Sequence, residues 1–160
     1  MPGIQIITFD HFKDLTDDYW RTHFRNLGNY IVLDPEHHFE SRNIGGGCPP
    51  IETKEGWVFI YHGVVDAAFG KIYHACAALL DLEIPTKVIG RLKYPLFSPS
   101  EPWEIKGDVS NVVFPTSTVL KDDRLTIYYG AADKLIAAKS LSFSELLMAL
   151  KNSPPPTTTA

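Results

Sequence analysis

The chain has 160 residues, 44% of them hydrophobic and 21% charged, with a formal net charge of −4. That length fits one domain with an ordinary core, and the composition excludes a long disordered chain, a collagen-like repeat and a disulfide-dense miniprotein. No apolar run approaches the ~18 residues of a membrane span. The first ten residues lack the basic start and long apolar stretch of a secretory leader. The mild acidity argues against a nucleic-acid partner, because phosphate backbones are bound by clustered Lys and Arg. The two cysteines, Cys48 and Cys76, lack the spacing of a zinc site and are too few for a disulfide framework. They read as buried free thiols, no metal is expected, and a cytoplasmic setting fits them.

In chain order, residues 4–9 and 30–33 read as short strands. Between them, residues 14–24 are polar and aromatic, a helical turn or an insertion between strands. Three glycines, Gly45, Gly46 and Gly47, then precede Cys48-Pro49-Pro50. Residues 57–62 are aromatic and β-branched after the Glu55-Gly56 turn signal, which predicts a strand. Residues 73–80 are apolar, short and flanked by turn signals, so a strand is chosen there over a helix. Val88 to Arg91 ends a further strand, and residues 125–129 form another after the turn-like 121–124. Ser142, followed three residues later by Glu145, is a capping-box signature that predicts an amphipathic helix over 143–151, docked on the last strands. Residues 153–160, rich in Pro and Thr, read as a disordered tail.

The chain also repeats itself. Ile60-Tyr61-His62-Gly63 aligns with Ile127-Tyr128-Tyr129-Gly130, an offset of 67 residues, with proline upstream and an Ala-rich apolar strand downstream of each. Several short strands within such a period suggest blades of a β-propeller; two hairpins alike by chance are the alternative.

Few residues carry chemistry by themselves. The glycine stretch permits close backbone approach to a ligand, or it is a structural turn. It has neither the Gly-Lys-Ser/Thr of a phosphate-binding Walker loop nor the spacing of a dinucleotide fold. Arg42 beside it is suited to clamp an anion. His62 ends a strand beside Gly63, where an imidazole can bind hydroxyls or phosphate, or be a satisfied structural residue. Asp133 follows small residues beside aromatics, where a carboxylate can hold two vicinal sugar hydroxyls or cap its own turn. Tyr73, Trp103 and Phe114 are apolar platforms or core. His37-His38 reads as a pair of exposed loop histidines, since neighbours on a strand point to opposite faces.

Taken together, Ile44-Gly45-Gly46-Gly47-Cys48-Pro49-Pro50-Ile51 followed by Gly56-Trp57-Val58-Phe59-Ile60-Tyr61-His62-Gly63-Val64 strongly resembles glycoside hydrolase family 130, the β-mannoside phosphorylases and related β-mannosidases. The likeness continues through Tyr73, residues 78–82, Arg91 and Pro95-Leu96. It resumes at Asn111-Val112-Val113-Phe114-Pro115 and at Tyr128-Tyr129-Gly130-Ala131-Ala132-Asp133.

The resemblance implies an all-β fold: two to three blades of a five-bladed β-propeller over residues 1–152, with the short C-terminal helix. It implies a β-mannoside or related oligosaccharide as ligand, held in the propeller cavity. No organic cofactor is implied, and inorganic phosphate is a possible co-substrate. It places His62, Tyr73, Phe114 and Asp133 on the sugar, and Arg42 and His62 on phosphate. The family's phosphorylases commonly carry lysine before the glycine motif, where this chain has Asn43. Members are about twice this long, so the chain corresponds to a C-terminal half whose proton-donating aspartate lies elsewhere. Glu40, just ahead of the glycines, is either the base of a hydrolytic variant or a solvated edge carboxylate. An incomplete propeller leaves unpaired strand edges, so a homo-oligomer or pairing with the missing half is expected.

Overall fold

The computed structural model describes residues 3–153. Most of the predicted tail therefore lies outside the described residues. Three antiparallel sheets stand side by side. The first pairs β1 (Ile4–Gln5) with β2 (Ile31–Leu33). The central sheet holds β3 (Asn43–Gly46), β4 (Ile51–Thr53), β5 (Gly56–Ala67), β6 (Gly70–Leu80) and β7 (Val88–Arg91). Its order is β3-β5-β6-β7, with β4 also paired to β5. The third is a meander of β8 (Val113–Lys121), β9 (Arg124–Ala131) and β10 (Leu135–Ser142). Among the described residues the sheets form no closed ring. No helix among them is long and apolar enough to cross a membrane.

The predicted strands over 57–62, 73–80 and 125–129 lie within β5, β6 and β9. The strand expected over 4–9 shrinks to Ile4–Gln5, which pairs with β2; Ile6 adds one bond, its N–H donating to the Tyr30 carbonyl at 2.9 Å. The polar-aromatic segment is α1 (Asp17–Arg25), started by Thr16, whose hydroxyl accepts from the Tyr19 N–H at 3.2 Å. A short α2 (Pro102–Ile105) and α3 (Phe143–Lys151) complete the elements. As the capping signature predicts, the Ser142 hydroxyl accepts from the Glu145 N–H.

Packing explains why β5 and β6 show little alternation. The central sheet is covered on both faces, so almost every side chain along the two strands is buried. On one side Phe59, Tyr61, Cys76, Ala78 and Leu80 pack with Val32 and Leu33 of β2. On the other, Val58, Ile60, Ala77 and Leu79 meet Leu125 and Ile127 of β9 and Leu146 and Leu150 of α3. The helix is thus wedged between the second and third sheets rather than docked on the last strands alone. Gly90 is obligatory beneath it, since a Cβ there would stand 2.2 Å from the Leu150 carbonyl oxygen.

The internal repeat is real in three dimensions, but its register differs by one residue. Glu40 accepts from the Glu36 and His37 N–H groups and from the Tyr61 hydroxyl. Glu104 accepts from the Ser100 and Glu101 N–H groups and from the Tyr129 hydroxyl. Tyr61 therefore corresponds to Tyr129, not Tyr128. A one-residue slip exchanges the faces of a strand: Tyr129 is buried against Phe97, whereas Tyr128 is exposed.

Candidate functional site

The candidate site straddles the seam between the second and third sheets. His62 on β5 is opposite Gly45 on β3. A Cβ on Gly45 would lie 2.4 Å from His62 Cε1, so this glycine exists to admit the imidazole. Gly47 is equally constrained, 2.8 Å from the Ile60 carbonyl oxygen. Gly45 and Gly46 therefore end an edge strand, and Gly47 just beyond it is in close backbone contact. The His62 ring packs on Phe114 at 4.4 Å and on Tyr73 at 6.1 Å between centroids. It is 7% exposed, and its Nδ1 has no hydrogen-bond partner. Burial pushes this imidazole below its ordinary value of 6.5, opposed in part by the Gly46 backbone.

Tyr73, Phe114 and Asp133 meet in one pocket of about 240 Å³, lined also by Val109 and Val112. One bond ties its walls across the seam, the Tyr73 N–H donating to the Asn111 carbonyl at 2.9 Å, and the Ala132 N–H donates to the Val112 carbonyl at 3.0 Å, extending the β8–β9 pair. Asn111, Ala132 and Asp133 all adopt positive φ, between 49° and 59°. This sparsely populated region is often held at sites where the surrounding packing over-determines the backbone. Asp133 is exposed. Val112 belongs to the Asn111–Pro115 motif of the resemblance without being singled out there, and Val109, just ahead of it, carried no signal of its own.

The remaining candidates lie elsewhere. Arg42 donates to Asp66 at 2.8 and 3.0 Å, outside the pocket lining. Glu40 is fully buried rather than a solvated edge carboxylate. Beyond its bonds to Tyr61 and two backbone N–H groups, it pairs with Arg91 Nη2 at 2.7 Å. Arg91 in turn donates through Nε to the Tyr61 hydroxyl at 3.0 Å. Four partners occupy the Glu40 carboxylate, which is the arrangement of a structural anchor. His37 is half-buried and only His38 is exposed. Both cysteines are buried and free, as expected. Trp103 is exposed and does not line the pocket. Wider hollows of about 350 to 420 Å³ lie around α3 and the β9–β10 edge, and none contains a predicted site residue.

The order of these residues, from the glycine strand through His62 and Tyr73 to Asp133, is matched in known proteins. The sequence model of the family described as β-1,4-mannooligosaccharide phosphorylase, glycoside hydrolase family 130, covers residues 15–152. The chain belongs to this family. A 1,2-β-oligomannan phosphorylase of Thermoanaerobacter sp. (strain X514) is 40% identical over 134 residues, which is 81% of this chain and 44% of that protein. A β-1,4-mannooligosaccharide phosphorylase of Ruminococcus albus is 41% identical over 121 residues, 74% of this chain and 34% of that protein. Among solved structures, the β-1,2-mannobiose phosphorylase from Listeria innocua, in complex with β-1,2-mannobiose, superposes with a TM-score of 0.67 at 38% identity. That match covers 76% of this family 130 chain and 33% of that one. The chain thus spans less than half the length of each of these relatives.

Proposed function

We propose that this chain is the sugar-binding, C-terminal part of an inverting enzyme that acts on β-mannosides. In this reading it folds as two to three blades of a five-bladed propeller, and the catalytic acid lies outside its 160 residues. The observation that carries the reading is the convergence of Tyr73, Phe114 and Asp133 on one pocket, with His62 packed on both rings. Its volume, about 240 Å³, is below the ~300–1,000 Å³ of pockets for larger ligands and suits a single sugar ring.

The chemistry follows from these groups. The rings of Tyr73 and Phe114 offer apolar surface to the C–H face of a pyranose. The Asp133 carboxylate accepts hydrogen bonds from sugar hydroxyls, and the strained turn at Ala132-Asp133 fixes its position. His62, whose burial favours the neutral ring, can offer a ring N–H to a hydroxyl or an incoming anion. The acid supplied from elsewhere protonates the glycosidic oxygen while phosphate or water attacks the anomeric carbon from the opposite face. Glu40 anchors the approach to β3 in place of acting as base.

Phosphate use demands more of this chain than hydrolysis does. Asn43, two residues before Gly45 on β3, shares the His62 face by strand alternation but is uncharged. Arg42 would have to leave Asp66 to meet the anion. The test is release of mannose or mannose 1-phosphate from β-mannosides, with and without phosphate. Turnover by this chain alone would overturn the assignment of the acid to another segment. Calorimetry with mannobiose should show binding that Asp133→Ala reduces about tenfold or more, the loss of one or two charge-assisted hydrogen bonds. Unchanged heat in that variant would reject the role of Asp133. A second reading, a non-catalytic sugar-binding remnant, is favoured by the single carboxylate lining the pocket. It predicts binding without turnover even when the remaining segment is supplied.

A further inference from the structure

The connection from α2 to β8, residues 106–112, belongs to no helix or strand, yet its backbone is held in place. Its root is α2: the Asn111 N–H donates to the Ile105 carbonyl at 3.3 Å and the Val112 N–H to the Glu104 carbonyl at 3.0 Å. The Glu104 carboxylate, buried against the Tyr129 hydroxyl, fixes α2 in turn. From that root the segment reaches both walls of the pocket. The Asn111 carbonyl accepts from Tyr73 of the second sheet, and the Val112 carbonyl accepts from Ala132 in the turn after β9. The Val109 N–H donates back to the Ala132 carbonyl at 3.1 Å. Both backbone polar groups of Ala132 are therefore held by one segment. Gly107 closes on the same residue: a Cβ there would stand 2.3 Å from the Ala132 carbonyl oxygen and 2.6 Å from the Ala132 Cβ.

Ala132 needs that hold. The turn runs from Ala131 to Lys134, whose N–H donates to the Ala131 carbonyl at 3.1 Å. Its two central residues, Ala132 and Asp133, have φ of 49° and 52°. Asn-Gly or Asp-Gly is the usual pair in a hairpin turn with two left-handed residues. Ala132 has a Cβ that the left-handed region disfavours, and no polar group to offset it with a local hydrogen bond. Local sequence does not select this backbone, so its surroundings must. Ala132 is fully buried, and the residue that follows it is Asp133, the carboxylate of the pocket lining.

We propose that Gly107 and Val109 are positioning residues for Asp133. Gly107 admits the Ala132 backbone and Val109 bonds its carbonyl. Together they keep the turn in the conformation that carries the carboxylate to the pocket wall. The same segment is bonded to Tyr73, so it also sets the span between the aromatic wall and the carboxylate that a bound ring must fill. The inference rests on the mannoside reading of this pocket, but part of its test needs no sugar.

The experiment joins nuclear magnetic resonance of the full chain to calorimetry with mannobiose. In the parent the Val109 amide should exchange slowly. In Gly107→Ala, with circular dichroism native, that protection should fall. The three-bond coupling between the amide and α protons of Asp133, which follows φ, should move. Mannobiose binding should weaken about tenfold, the loss expected of Asp133→Ala. In an Asp133→Ala background the same glycine change should alter binding less than about twofold, since its route to the sugar is gone. Equal weakening in both backgrounds would overturn the proposal, because a merely structural glycine costs the same in each. Val109→Pro removes the N–H and leaves Gly107 in place, and it carries the same cycle should Gly107→Ala fail to fold. A parent without mannobiose heat whose Asp133 coupling still moves in Gly107→Ala overturns the sugar reading and upholds the positioning role. Heat in the parent with an unmoved coupling overturns the positioning role and leaves the sugar reading standing.

Discussion

Replacing Glu40 by Gln tests the buried anchor most directly. The substitution keeps volume and shape and removes one charge. If the new amide nitrogen took the Oε2 position it would meet three donors: Arg91 Nη2 and the N–H groups of Glu36 and His37. It must therefore take the Oε1 position and donate to the Tyr61 hydroxyl, which already receives Arg91 Nε. Arg91, 3% exposed, is left with Glu36 at 3.3 Å as its only carboxylate, and Glu36 is one-third exposed. Removing one partner of a buried pair costs about 3–5 kcal/mol. The repeat provides an internal control. Glu104→Gln has the same flip to make, but its cation Lys139 is 3.5 Å away and one-third exposed. Screening and the weaker contact put that cost at about 1–2 kcal/mol. Urea unfolding followed by tryptophan fluorescence should show the larger midpoint shift for Glu40→Gln at an unchanged slope. Equal shifts for the two variants, or a cost below ~1 kcal/mol for Glu40→Gln, would refute the reasoning.

Three further outcomes are expected. Burial lowers the pKa values of His62 and His74 from 6.5, with His38 adding repulsion at His74. The unfolded state then binds more protons, so stability present above pH 6.5 should fall as pH drops through the lowered native values; unfolding curves that stay flat from pH 7.5 to 5 would contradict this. Gly45→Ala forces the His62 ring off Phe114 and should destabilise by about 1–3 kcal/mol through overpacking, with mannobiose heat lost in parallel; an unchanged thermal midpoint would refute the close approach. Burial pushes the Cys48 thiol up to about 11 and the Cys76 thiol higher still, so both should resist a thiol reagent at pH 8 in the native protein and react in urea.

Much of the middle of this chain was legible in its sequence because strands buried on both faces are written as dense β-branched and aromatic runs. Residues 57–62 and 73–80 are of that kind, and both are strands. The Ser142 cap was legible because it is local: one hydroxyl and one N–H three residues on. What depends on distant partners was not. The strand expected over 4–9 needed a neighbour along its whole length and finds β2 only at Ile4–Gln5. Glu40 sits among polar residues and looked solvated, yet Arg91, 51 residues away, and Tyr61 draw it into the core. The site divides in the same way. The resemblance named Tyr73, Phe114 and Asp133, which the fold brings to one pocket. It also named Arg42, which Asp66 holds outside that pocket's lining.

The one-residue error in the repeat shows why the site lies where it does. Matching by sequence alone equates Tyr61 with Tyr128, which puts a core tyrosine in register with one on the open face. Matching by the hydrogen bond to a buried glutamate equates Tyr61 with Tyr129. Gly130 then corresponds to His62, the next residue along each strand. At that position the third sheet has no side chain, and a Cβ on Gly130 would meet only Phe114, its Cβ at 3.8 Å. Phe114 is the residue on which the imidazole of His62 packs. The repeat therefore places an imidazole in one sheet and only backbone at the equivalent point of the next. Asymmetry between equivalent positions of adjacent sheets therefore sets what borders Phe114, one of the residues that line the pocket. Filling that position from the other side, with Gly130→Val, should displace Phe114 and weaken sugar binding while leaving the Glu104–Tyr129 anchor in place. Loss of mannobiose heat with a thermal midpoint within a few degrees of the parent would bear this out, and undiminished binding would count against it.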